Sequence, residues 1–182
     1  KHETMYYPSR IRMLVNGGDD NLEVTNETAS YYKELYTVLS AQAMRQVRSV
    51  EPECKPIRLG SLDLSLHNQD DKDIFVLGDP IMVDYLFEIL RKQAGARKLE
   101  VEKVKKHDGY ISICVALPNI ALTEQECLEL FNPTMDNLPY LLCRQIIRDA
   151  GEVSNSRGCG IIAEKADKGI RIWVTMAQAR KT

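Results

Sequence analysis

The chain has 182 residues, enough for one domain with a real core and a smaller element beside it. A net charge of −2 supplies no general field for nucleic acid or an anionic membrane surface. No apolar run reaches the length of a membrane span, and no signal peptide is visible. Lys1 is not a natural start, so the sequence reads as a fragment, with any sensor or membrane segment expected upstream. The five cysteines, Cys54, Cys114, Cys127, Cys143 and Cys159, show no CxxC spacing and sit mostly in apolar stretches. They read as free thiols of a reducing cytoplasm. None pairs with His2, His67 or His107 at zinc-ligand spacing.

Residues 1–16 place Tyr7, Ile11, Leu14 and Val15 on one helical stripe, with Pro8 kinking the helix or marking its first turn. Gly17-Gly18-Asp19-Asp20-Asn21 ends it. Residues 27–50 form the clearest helix, with Tyr32, Tyr36, Leu39, Ala43, Val47 and Val50 recurring in steps of three and four. Asn26 or Thr25 is the expected N-cap. About 24 residues at ~1.5 Å each make a rod of roughly 36 Å. Two helices joined by a short polar loop predict an antiparallel hairpin. Its narrow stripes bury poorly alone, so pairing with a second copy in a four-helix bundle is expected. The tyrosines at 31, 32 and 36 read as bundle packing. Residues 1–52 are therefore assigned to a hairpin and 53–182 to a second domain, with the prolines at 52 and 56 marking the linker.

From Ile57 the pattern becomes extended, through Leu59, Leu62, Leu64 and Leu66, into a polar loop over His67 to Asp73. Ile74 to Leu77 has the buried-strand signature. Gly78-Asp79-Pro80 is a turn in which Asp79 caps and Pro80 opens a helix to about Gln93. Val83, Leu86, Phe87 and Leu90 share a face, and Gly95 stops the helix. Strands at Lys98–Lys106 and Tyr110–Leu117 flank His107-Asp108-Gly109, a strong hairpin turn. Thr123 and Glu126 match a capping box, predicting a short helix to Phe131. Another helix spans Leu138 to about Ala150, capped by Asn137 or Asp136, with Gly151 expected just past its end. Strands at Cys159–Glu164 and Gly169–Met176 close the chain. The fold class is an α+β two-layer sandwich preceded by the hairpin. His67 and His107 read as surface residues, and Gly158 and Gly160 as shaping the start of a strand.

This order of elements resembles the GHKL (Bergerat) ATPase domain of sensor histidine kinases over about Ile57 to Met176. GDPIMVDYLFEILRKQA looks like the family's N-box region. ISICVALPNIALTEQECLELFNP looks like the next two motifs, and LPYLLCRQIIRDAGE like the helix after the nucleotide lid. GCGIIAEKADKGIRIWVTM looks like the closing hairpin. KHETMYYPSRI is similar to the kinase phosphoacceptor box, although Pro8 follows His2 by six residues, not the usual five. The same string is similar to kinase-like proteins of gut Bacteroidetes.

The resemblance implies a cytoplasmic two-component signalling protein, dimeric through its hairpin, with a response-regulator receiver domain as partner. It makes His2 a candidate phosphoacceptor and Glu3 its orienter. It also implies a pocket for ATP and Mg²⁺, and there the residues depart from the family. Ile89 stands at the carboxylate position and Gln93 at the metal-binding amide. Sliding by one residue offers Glu88 but puts Lys92 at the metal. Leu117 stands where an aspartate would read adenine, and leaving that amino group unsatisfied costs about 1–3 kcal/mol. Asn119 and Ala121 replace glycines, and no glycine occurs from Tyr110 to Ala150. The expectation is a degenerate pocket holding no cofactor, in a pseudokinase or histidine phosphotransferase. An active kinase with a diverged ATP site and a non-catalytic interaction scaffold are the alternatives.

Overall fold

A computed structural model of the chain describes residues 53–132 and 137–179. The chain divides into two units, Lys1–Val50 and Glu51–Thr182, and all described residues belong to the second. The hairpin expected over 1–52, with His2 and Glu3, lies outside the described residues.

The described elements are, in order, β1 (Lys55–Arg58), a 3-10 turn (Leu59–Ser61), β2 (Leu64–Ser65), α1 (Gln69–Lys72), β3 (Phe75–Gly78) and α2 (Pro80–Gln93). They continue with β4 (Leu99–His107), β5 (Tyr110–Leu117), α3 (Glu124–Glu129), α4 (Leu138–Val153), β6 (Gly160–Lys165) and β7 (Ile170–Ala177). Five strands form a mixed sheet in the order β2-β4-β5-β7-β6, with β2 parallel to β4 and the remaining pairs antiparallel. β1 and β3 pair separately and antiparallel, and a bridge from Val76 to Gln178 ties β3 to the chain just after β7.

Period-two alternation explains the layering. Ile111, Ile113, Val115 and Leu117 of β5 are buried, as are Ile170, Ile172, Val174 and Met176 of β7. α4 packs on β3, β6 and β7, and α2 packs on α4 and β4. The core lies between sheet and helices, where Leu86 and Leu90 of α2 and Ile147 of α4 are fully enclosed. The other face of the sheet carries Ser112, Cys114, Arg171, Trp173 and Thr175, alternating with the core residues of β5 and β7.

The local signals behave as the residue chemistry requires. Asp79 Oδ1 accepts from the Ile81 and Met82 amides at 3.1 and 3.2 Å, with Pro80 in the first turn of α2. Asp108 and Gly109 take φ of 44° and 81°, the left-handed pair of a tight hairpin turn. Thr123 and Glu126 close a reciprocal capping box at α3.

Two readings change. The polar stretch 67–73 is not all loop: Asn68 accepts from the Asp70 amide at 3.1 Å and caps the one-turn α1. Gly151 does not end α4, which runs on to Val153. Asn155 takes the left-handed conformation, with φ of 50°, while the Ser156 amide donates to the Gly151 carbonyl at 2.8 Å. Gly151 is needed for another reason: a Cβ there would meet Ser156 O at 2.9 Å and Cys159 Cβ at 3.2 Å, so the returning chain could not pack so closely.

Candidate functional site

The residues singled out from the sequence cluster around the C-terminal half of α2 and the chain leaving β5. Ile89 and Gln93 lie one turn apart on α2. Ile89 is 6% exposed and belongs to the core, and Gln93 is half-buried. Leu117, the last residue of β5, is fully buried and pairs with Ile170 of β7. Its carbonyl lies against Gly169, where φ is +75° and a Cβ would come within 2.2 Å of that oxygen. The β6–β7 turn is therefore closed onto the Leu117-Pro118 backbone.

Asn119 has a definite role. Its Nδ2 donates to the Ala94 carbonyl at 3.1 Å, tying the segment after β5 to the end of α2. Helix C-termini leave carbonyls without intrahelical partners, and this amide satisfies one of them. Gly95 follows with φ of +60°. The structure thus brings Gln93, Ala94 and Asn119 to one end of α2. Ala121 lies exposed two residues farther along the same segment. The alternative carboxylate, Glu88, pairs with Lys92 at 2.9 Å across one helical turn. Among the described residues no group of three or more His, Cys, Asp or Glu side chains is placed to hold a metal ion.

Beyond the capping box, the chain approaches α4 through aromatic and guanidinium contacts. Phe131 and Tyr140 meet edge to face with ring centroids 6.0 Å apart, and Arg144 Nη1 donates to the Phe131 carbonyl at 3.0 Å. Burial pushes the Tyr140 phenol up to about 12. Hydrogen bonds from the Thr123 backbone and side chain hold the Glu126 carboxyl below its usual range. Burial raises the Cys143 thiol, and it pushes Cys114 up to about 11 with the nearby Glu102 and Glu164 adding to the shift. These thiols are packing groups, not nucleophiles.

Two open cavities lie elsewhere among the described residues. One, of 620 Å³, lies between α4 and the start of β6, with Arg144, Arg148 and Arg157 on its walls. The other, of 690 Å³, lies on the outer face of the sheet beside His107 and Trp173. Neither is lined by Ile89, Gln93, Leu117, Asn119 or Ala121. His67 is the surface residue expected, facing Glu100 at 3.2 Å. His107 is exposed, as expected, but it is hydrogen-bonded: its Nε2 is 2.8 Å from Ser112 Oγ, which is 2.8 Å from Thr175 Oγ1. The polar alternation in β7 and β5 was the sequence signal for that face, but only strand register joins the three side chains. Gly158 is shaped by packing, since its amide donates to Tyr110 Oη at 3.0 Å and a Cβ would strike the tyrosine ring at 2.5 Å.

No family model matches the chain, and no curated protein sequence matches it. Solved structures do. The histidine kinase ThkA, in a complex with the response regulator protein TrrA, aligns with 98% of this chain at a TM-score of 0.56 and 16% identity; this chain spans only 61% of that one. The Acinetobacter baumannii histidine kinase AdeS aligns with 97% of this chain and 95% of its own at 0.52 and 11% identity. The ATP binding domain of PrrB from Mycobacterium tuberculosis aligns with 70% of this chain and 98% of its own at 0.51 and 14% identity. At these identities the likeness is one of fold: the described domain is an α+β sandwich with the fold of histidine-kinase ATP-binding domains.

Proposed function

We propose that this chain is a kinase-like module of two-component signalling whose nucleotide pocket has been taken over by its own side chains. It serves as a pseudokinase or histidine phosphotransferase. The observation that carries the reading is the engagement of the pocket positions in packing: Leu117 and Ile89 belong to the core, and the Asn119 amide is committed to the Ala94 carbonyl. An adenine amino group directed at Leu117 would lose its hydrogen bond to water and gain none, at a cost of about 1–3 kcal/mol. The Glu88 carboxylate faces Lys92 at 2.9 Å on the exposed side of α2, and that ammonium would repel a divalent cation beside it.

The same reading makes the chain a cytoplasmic homodimer through residues 1–52, with a receiver domain as partner. ThkA, a similar fold, was solved with its response regulator, which favours a partner of that class. His2 is the proposed phosphoacceptor and Glu3 its orienter. The phosphoryl group would arrive on the His2 imidazole from a phosphorylated partner and leave to a receiver aspartate carboxylate, returning the neutral ring.

Two measurements test this. Calorimetric titration with ATP and Mg²⁺ should give no saturable heat, and micromolar binding would overturn the loss of the nucleotide. Mixing with a phosphorylated receiver domain should move label onto the chain, and His2→Ala should abolish the transfer. No label on the wild-type chain would leave a non-catalytic scaffold as the correct description.

A further inference from the structure

The outer face of the sheet is a built surface, and strand register composes it row by row. One row runs Lys105, Ser112, Thr175, Gly160 across β4, β5, β7 and β6. The next runs Lys103, Cys114, Trp173, Ile162. Ser112 and Cys114 on β5 are short beside Lys105 and Lys103 on β4 and beside Trp173 on β7.

A cavity of 690 Å³ opens on this face, and its lining is chemically divided. One side carries Lys105, Lys106, His107 and the hydroxyls of Ser112 and Thr175. The other carries Trp173 and Ile162, the latter 62% exposed, with Glu164 as the single carboxylate. Glu164 accepts from the indole Nε1 at 2.9 Å, so its charge is turned toward the ring. Lys105 Nζ stands 4.3 Å from the Trp173 ring centroid. A chain of net charge −2 thus concentrates cations at one concave place.

The hydrogen-bond chain sharpens the ligand. Ser112 is 6% exposed and sits between His107 Nε2 and Thr175 Oγ1, both at 2.8 Å. A hydroxyl has one proton, so the chain runs in one direction at a time. When His107 Nε2–H donates to Ser112, Ser112 donates to Thr175, and the Thr175 proton is free to donate into the cavity. An anion placed there selects that direction and polarises the whole chain.

We propose that this cavity is a binding site for a small phosphate monoester on a flat apolar body. The phosphate sits among Lys105, Lys106 and the Thr175 hydroxyl, with His107 orienting the hydroxyl chain from behind, and the body lies against Ile162 and Trp173. A dianionic phosphate offers three terminal oxygens to these donors, where a carboxylate offers two. The volume falls in the range of small-molecule sites, about 300–1,000 Å³. The site lies on the sheet face opposite the helices and does not depend on the fate of the pocket at α2.

Trp173 is the chain's single tryptophan, so its emission reports this site alone. The probe is phenyl phosphate, titrated into the full chain and followed by tryptophan fluorescence, with amide chemical-shift mapping as the second readout. The expected result is a saturable change, at least about tenfold tighter than for benzoate or inorganic phosphate. Shifts should centre on residues 105–112 and 160–175. Lys105→Gln and Thr175→Val, neither of which removes core packing, should each weaken binding about fivefold or more. No saturable change up to about 10 mM, equal binding of benzoate, or wild-type binding by both variants would overturn the proposal. Shifts centred on Gln93 and Asn119 would also overturn it, and would at the same time count against the closed pocket proposed there.

Discussion

Leu117→Asp separates a packed position from a ligand-reading one. In an adenine-reading pocket an aspartate here would face a polar cleft and be tolerated. In this domain Leu117 is fully buried, and its carbonyl lies under Gly169. Removing the leucine forfeits burial worth about 1.5–3 kcal/mol. Inserting a carboxyl without a partner adds a further penalty of about 2 kcal/mol or more, even if it stays protonated. The sum is about 3.5–5 kcal/mol, a large part of the roughly 5–15 kcal/mol that stabilises a domain. At about 3–6 °C per kcal/mol for a domain of this size, melting should fall by at least about 10 °C at pH 7. The pH dependence has a definite sign. Burial raises the pKa of the new carboxyl in the folded state, so the folded form holds its proton longer than the unfolded form. The deficit relative to wild type should therefore grow as pH rises from about 4, the unfolded value, toward the raised folded value. Thermal melting by circular dichroism between pH 4 and 8 measures both effects. A variant melting within about 2 °C of wild type at pH 7 would refute the packing argument and reopen the pocket.

Gly169→Ala forces a Cβ into a left-handed residue and onto Leu117 O at 2.2 Å, so it should cost about 2 kcal/mol or more, seen as a lower urea midpoint with unchanged slope; a neutral result would show that the turn is not closed on β5. Thr123→Ala should cost about 1 kcal/mol through loss of the cap, with local amide exchange at α3 rising first. Because the Glu126 carboxyl lies below its usual range, its share of the cap is complete above the unfolded pKa and fades as pH falls through the depressed folded value, so α3 protection should drop on acidification. In native protein a thiol reagent at pH 8 should modify half-buried Cys54 and Cys159 before buried Cys114, Cys127 and Cys143, as mapped by peptide mass spectrometry; early labelling of Cys143 would contradict its enclosure.

Local chemistry carries most of the fold. Asp79-Pro80, Asp108-Gly109 and the Thr123–Glu126 box each specify a backbone event within a few residues, so their elements stand where the sequence places them. The alternation in β5 and β7 specifies which side chains face the helices. The misread end of α4 has the opposite origin. Glycine after a helical run ordinarily marks its end, but Gly151 is required by the approach of Cys159 from a later segment, which no local pattern encodes.

The candidate site divides along the same line. Residue identity alone carries the expectation that Ile89, Leu117, Asn119 and Ala121 lack the carboxylate and glycine chemistry of a nucleotide pocket, while Gln93 keeps an amide one methylene farther out, because a side chain's donors and charge need no fold to be known. What those residues do instead was decided by tertiary structure. Asn119 finds the Ala94 carbonyl, and Leu117 is sealed beneath Gly169. Likewise, nothing in the order of the chain places His107, Ser112 and Thr175 together or sets Lys105 over Trp173. Those contacts come from the register of β4, β5 and β7, which is set by burial of the opposite face. The apolar pattern therefore determines the polar surface, but only after the strands have paired.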